Sequence, residues 1–154
     1  SVENYARLRA ILRGNNMMLT TAATCLALAV YHEARGEPIT GQQMVAEVIL
    51  NRVDHPSYPD SVCGVVKQHN TPVSRPRACQ FSFYCDGASD KPRESAAWEK
   101  SKRIADEALG GDRLGSKATH YHTKSVRPSW AKRLTLVGSA GSHIFYTDGR
   151  LDDK

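Results

Sequence analysis

Residues 31–52 read YHEARGEPITGQQMVAEVILNR and carry one carboxylate, Glu33, at the end of an apolar helical stretch. Burial against apolar side chains disfavours the ionised form, so such an acid holds its proton near neutral pH. A protonated Glu can pass that proton to a glycosidic oxygen as the bond breaks, which is general acid catalysis. The competing reading of the same spacing is a helix-end carboxylate paired with Arg35 or Arg52. Glu37 lies beyond the breakers Gly36 and Pro38, near the start of a second helix where negative charge is favoured, and reads as a supporting group.

The histidines offer different chemistry. His120 and His122 share one face of a strand, and His32 and His143 can join them. Two or three His with a Glu can hold zinc and activate water, but no HExxH spacing is present, and neither a metal nor an organic cofactor is expected. Cys79 and Cys85 bracket an aromatic segment at a spacing suited to a small disulfide loop, with free thiols as the alternative. Cys25 reads as a small buried hydrophobe. GSAGS, residues 138–142, is a turn between strands, not a phosphate cradle. The basic loop Lys67 to Arg77 lacks the interleaved aromatics of a single-strand binder, so no nucleic-acid partner is expected.

These groups need elements to hold them. Val2, Tyr5, Leu8 and Ile11 fall at helical spacing ahead of Gly14. Thr20 or Thr21 can cap the next helix, whose stripe of Ala22, Leu26, Ala29 and Val30 brings Glu33 onto the core side. Thr40 and Gln43 form a capping-box pattern ahead of a helix apolar round most of its girth, expected to be central. A short helix follows Pro59-Asp60. Cys79 to Tyr84 alternates and reads as a short strand or hairpin arm. Ser95 to Leu109 is an amphipathic helix stopped by Gly110-Gly111. Residues 119–123, 134–137 and 143–146 read as strands, the last two joined by 138–141. Helices followed by short strands imply an α+β fold, an α-rich lobe facing a smaller β-containing lobe across a cleft.

A chain of 154 residues fits one domain. Its formal charge of +5 suits a polyanionic partner, nucleic acid or a bacterial wall among them, and equally mere solubility. The longest apolar run, Ala22 to Tyr31, is too short to span a bilayer, so no stable membrane insertion is expected. The chain begins at Ser1, which leaves room for a trimmed upstream segment.

Four stretches carry a resemblance: AVYHEARGEPITGQQMVAEVILNRV at 29–53, YPDSVCGVVKQ at 58–68, CQFSFYCDG at 79–87, and a C-terminal set of ATHYHT, Pro128-x-Trp130 and GSHIFY at 141–146. They resemble the SleB/CwlJ-type cell wall hydrolases, the spore-cortex-lytic enzyme family, over about 20–147. The resemblance implies a lysozyme-like catalytic domain covering 1–154, with 1–19 as an N-terminal helical extension. It places the catalytic acid on Glu33. It makes Gln80, Phe81 and Ser82 cleft residues that contact sugar or orient the Glu, with core packing the competing reading for Phe81. It gives Tyr121, His122, His143 and Tyr146 a part in walling the cleft.

The implied activity is that of a muramidase on peptidoglycan glycan strands, cutting between N-acetylmuramic acid and N-acetylglucosamine. No convincing second acid is present, so a single-Glu lytic transglycosylase is expected, with hydrolysis as the variant. The alternatives are a zinc-dependent N-acetylmuramoyl-L-alanine amidase and a non-catalytic wall-binding module. A monomer is expected, acting on the bacterial wall from the periplasm or outside. As a phage endolysin it would start from the host cytoplasm.

Overall fold

The computed structural model of the protein describes residues 17–69 and 79–153; the expected helix over 2–13 and most of the basic loop lie outside the described residues. Helix α1 runs Met17–Ala34, so it starts ahead of Thr20 and Thr21 and neither caps it. Met17, Met18 and Leu19 ahead of them include no breaker, and two Thr cost little inside an apolar helix. Its buried surface is wide: Cys25, Leu26, Ala27, Ala29, Val30, Tyr31 and Ala34 are all inside. The helix stops where Gly36 and Pro38 follow, and the Glu37 N–H donates to the Ala34 carbonyl at 2.9 Å.

Helix α2 runs Ile39–Val53 with Pro38 at its N-cap and no side-chain cap, so the expected capping box at Thr40 and Gln43 does not form. Proline presets the entry: its φ is −54°, and its carbonyl accepts the Gln42 N–H at 3.1 Å. The Gln42 side chain adds a bond from Nε2 to the Glu37 carbonyl at 3.0 Å. From Gly41 to Arg52 every residue but Gln43 is buried, which makes α2 the central helix, as its sequence implies.

Helix α3, Val62–Val66, is capped by Ser61, whose Oγ accepts the Gly64 N–H at 3.0 Å. Cys25 is buried, but it is no lone hydrophobe: it is bonded to Cys63, with Cα atoms 5.3 Å apart, and ties α1 to α3. The partner is 38 positions away, a pairing that spacing does not reveal. Cys79 and Cys85 are also bonded. The segment between them is not a strand. Cys79 makes one isolated bridge to His69, and Ser82–Tyr84 form a 3₁₀ turn. The alternation is real, with Phe81 and Phe83 inside and Ser82 and Tyr84 outside. A loop this short, closed on itself, meets it by turning. Helix α4, Ser95–Leu109, buries Ile104, Ala105 and Ala108 and ends at Gly110.

The sheet holds β1 His120–Thr123, β2 Thr135–Ala140 and β3 His143–Thr147, antiparallel in the order β1-β3-β2. Strand β2 extends to Ala140, which pairs with His143, so the hairpin turn is Gly141-Ser142 rather than 138–141. Gly141 has φ +57°, and a Cβ there would overlap the Glu37 carboxylate and the Pro38 ring. Register sorts the side chains by face. Tyr121 pairs with Phe145 and Thr123 with His143 on the helix-facing side; His120 pairs with Tyr146 and His122 with Ile144 on the outer side. The result is the expected α+β arrangement, a helical lobe with a small sheet against α2.

Candidate active site

Glu33 sits in the last turn of α1, half-buried, on the wall of an open cleft of about 430 Å³ lined also by His32, Arg35, Gly36, Glu37 and Glu94. Burial pushes its carboxyl above the usual carboxylate range, against the opposing pull of a hydrogen bond from Tyr121 and the field of Arg52. Among the described residues no ion pair joins Glu33 to an arginine. Arg35 Nε lies 3.3 Å from Glu94 Oε1, and Arg52 Nε donates to the Thr119 carbonyl at 2.8 Å. The helix-end ion-pair reading therefore does not hold.

Tyr121 is the one side chain that the sheet delivers to Glu33 by hydrogen bond, and burial and the nearby carboxyl hold its own hydroxyl well above its ordinary range. Its placement is set by α2. The Glu47 carboxylate, 2% exposed, accepts the Leu114 N–H at 2.7 Å and the Ser116 N–H at 2.8 Å. One turn on, Asn51 Nδ2 donates to the Ser116 and Ala118 carbonyls at 3.0 and 2.9 Å. Arg52 then takes Thr119, its guanidinium 4.8 Å from the Tyr58 ring centroid and 5.7 Å from that of Phe81. Three polar residues on one helix thus grip the chain entering β1, and Tyr121 follows two residues later.

At Glu37 the cleft meets a clasp to the β2–β3 turn. Glu37 accepts the Ser142 N–H at 3.1 Å and the Ser142 hydroxyl, and these bonds hold its carboxyl below the usual range. His143 Nδ1 lies 3.8 Å from Glu37 Oε1, and its ring meets Tyr121 edge-on at 5.0 Å. Burial lowers the His143 pKa. Glu33, Tyr121, His143 and Glu37 therefore form one connected group. Glu37, bonded and ionised, joins the α1–α2 connection to the β2–β3 turn.

The other sequence candidates fall elsewhere. His122 and Tyr146 do not wall this cleft: they lie on the outer face of the sheet, bonded to each other at 2.9 Å, with Trp130 packed edge-on against both. The strand period puts them opposite Tyr121. Phe81 is 2% exposed and packs against Arg52, so it reaches no sugar, whereas Gln80 and Ser82 are exposed. His32 donates from Nε2 to the Asp90 carbonyl at 2.8 Å and stacks on Phe83. His120 bonds Thr119 Oγ1 at 2.8 Å, and burial lowers its pKa to about 4.

Three positioning groups escaped the sequence reading. Tyr31 accepts the Arg93 and Glu94 N–H groups, each at 3.1 Å, and fixes the approach to α4. His55 Nδ1 accepts the Ser57 N–H at 3.0 Å, so its Nε2–H donates to Asp148 at 2.7 Å and ties the end of β3 to α2. The Glu47–Asn51–Arg52 set was visible only as polar residues in an apolar helix, which was the available signal.

A helical lobe, a three-stranded sheet and a desolvated carboxyl in the cleft define a lysozyme-like fold with an acid at its centre. The solved catalytic domain of Bacillus cereus SleB superimposes with a TM-score of 0.66 at 32% identity, covering 83% of this chain and 91% of that one. The catalytic domain of the germination-specific lytic transglycosylase SleB from Bacillus anthracis gives 0.65 at 28% identity, covering 87% and 98%. The spore cortex-lytic enzyme of Halalkalibacterium halodurans is 36% identical over 121 residues, 78% of this chain and 33% of that protein. That of Bacillus subtilis is 32% identical over 120 residues, 78% of this chain and 35% of that protein. The chain thus spans about a third of the length of these two relatives. The family model described as Cell Wall Hydrolase matches residues 36–146, and the chain belongs to that family.

Proposed function

We propose that this chain cuts the glycan strands of peptidoglycan as a lytic transglycosylase, with Glu33 as its single acid. The observation that carries the reading is the desolvated, tyrosine-bonded carboxyl of Glu33 on the wall of the cleft. The family match begins at Gly36, so the role of Glu33 rests on this geometry. The transglycosylase reading is supported by the solved relative from Bacillus anthracis, which is described as one.

Protonated Glu33 gives its proton to the oxygen between N-acetylmuramic acid and N-acetylglucosamine, and the C–O bond breaks. The substrate's own N-acetyl group stabilises the developing cation. The Glu33 carboxylate then takes the proton of the muramic acid C6 hydroxyl, and that oxygen closes a 1,6-anhydro ring. Glu33 ends protonated, ready for the next bond. Glu37 is a poor second carboxylate because both its oxygens are engaged by Ser142. Tyr121 positions Glu33 and tunes its proton affinity. Gln80 and Ser82, exposed in the disulfide loop, are assigned to sugar contact.

The zinc amidase draws little support from the histidines. His32, His120 and His122 each hold a protein partner, and His32 lines the Glu33 cleft while the other two lie on the outer side of the sheet. Two disulfides suit an oxidising compartment, which favours work in the periplasm or outside the cell over a phage endolysin made in host cytoplasm. Mass spectrometry of fragments released from purified peptidoglycan, with and without EDTA, tests the reading. Anhydro-muropeptides unaffected by EDTA are expected. Reducing-end muropeptides would make the enzyme hydrolytic, and free stem peptides lost with EDTA would overturn the reading in favour of the amidase.

A further inference from the structure

The outer face of the sheet carries a second concavity, larger than the cleft at Glu33. Its volume is about 730 Å³. Its floor is His122, Ile144 and Tyr146, and Lys124, Arg127 and Lys132 stand on its walls. All three cations are exposed, and no carboxylate lines the groove. Among the described residues no ion pair joins any of the three to an acid; the ion pairs of Lys102, Lys117 and Arg150 lie elsewhere.

The groove and the catalytic cleft adjoin. Lys124 lines the groove, its backbone N–H donates to the Ser142 carbonyl at 2.8 Å, and its charge is felt at Glu37, which lines the cleft. The two basins differ in charge. The cleft carries Glu37, held ionised by Ser142, and the exposed Glu94, against the one cation Arg35. That lining suits neutral sugar rings and repels carboxylates. A glycan strand in the cleft bears peptide stems rich in carboxylates, and these must leave it. A surface of opposite sign adjoins the cleft in the groove beyond Lys124.

We propose that this groove seats the carboxylate-bearing peptide stems of the strand held in the cleft, an inference that rests on the glycan-cutting reading above. Lys124, Arg127 and Lys132 meet the stem carboxylates, and the Tyr146 and Ile144 surface takes the apolar parts of the stem. The groove thereby sets which stretches of wall the enzyme cuts, favouring strands that keep their stems.

The test is binding by the inactive Glu33→Gln protein to two soluble glycan probes. One carries intact peptide stems; the other has been stripped of them and keeps only the lactyl carboxylates. Stem-bearing strands are expected to bind about tenfold tighter at low salt, and this ratio should shrink as salt rises. In Glu33→Gln combined with Arg127→Ala and Lys132→Ala the ratio should collapse to about one. Both added changes are on exposed residues, and an unchanged thermal melt confirms the fold. A ratio near one in the parent, or one that survives the two alanines, would overturn the proposal. So would an oligonucleotide that displaces the stem-bearing probe better than an acidic peptide of equal charge. Wild-type release of glycan fragments is read separately. None released, with the binding ratio intact, would sink the glycosidase reading and leave the groove standing.

Discussion

Two carboxylates on neighbouring helices should respond in opposite ways to the same substitution. Glu47 is the more deeply buried, and both its oxygens are used, by the N–H groups of Leu114 and Ser116. Glutamine in its place keeps one acceptor oxygen and turns an NH₂ group toward the second N–H. A hydrogen bond to a charged group contributes about 1.5–3 kcal/mol, and an orphaned buried donor costs about 1–3 kcal/mol. These overlap, so Glu47→Gln should cost about 3 kcal/mol in all. At about 2–4 °C per kcal/mol for a domain of this size, the melting temperature should fall by roughly 6–12 °C. Glu33 is different, because the Tyr121 bond and the field of Arg52 offset only part of the cost of burying its ionised form. Its raised pKa means that the stability of the neutral acid is fully present below the unfolded pKa and is lost as pH rises through the folded value. Glu33→Gln has no such loss. It should melt no lower than wild type near neutral pH, with an advantage that grows as pH rises. Calorimetry of the three proteins from acid to mildly alkaline pH reads both effects. Glu47→Gln melting within about 2 °C of wild type, or Glu33→Gln losing stability as pH rises, would refute the assignment of one structural and one functional carboxylate.

Tyr121→Phe removes a bond that lowers the Glu33 pKa, so the alkaline limb of the kcat/KM profile should move to higher pH; an unmoved limb contradicts the contact. Gly141→Ala should destabilise by about 1–2 kcal/mol from its left-handed backbone alone, and more from overlap with Glu37 and Pro38, measured as a shifted urea midpoint. Breaking the Cys25–Cys63 bond, which spans 38 positions, should cost about 4 kcal/mol on the chain-entropy scale. Breaking Cys79–Cys85, which spans 6, should cost about 2 kcal/mol, and equal losses would show that loop length is not the controlling factor.

The parts of the fold legible in the sequence were those written in a local period. The apolar girth of α2, the stripe of α4 and the three short strands all fall close to where pattern puts them. Glu33 was legible for the same reason, because one helical turn past Val30 carries it onto the core side. What failed was what depends on partners far along the chain. The Cys25–Cys63 bond, the grip of Glu47 and Asn51 on residues 114–118, and the Glu37–Ser142 clasp join positions 38 to 105 apart. Cys79 to Tyr84 shows the other limit: alternation arises in a strand and equally in a closed turn, and only the disulfide distinguishes them. For His122 and Tyr146, motif order gave no information about which face of the sheet they take.

The most direct measurement compares wild type and Glu33→Gln on purified peptidoglycan, following soluble muropeptides by mass spectrometry with the melting temperature of each protein checked alongside. General acid catalysis contributes about 10²–10⁴-fold, so release by Glu33→Gln should fall by at least about a hundredfold while its fold stays intact. Release by Glu33→Gln at the wild-type rate would contradict Glu33 as the acid and move the chemistry to another group.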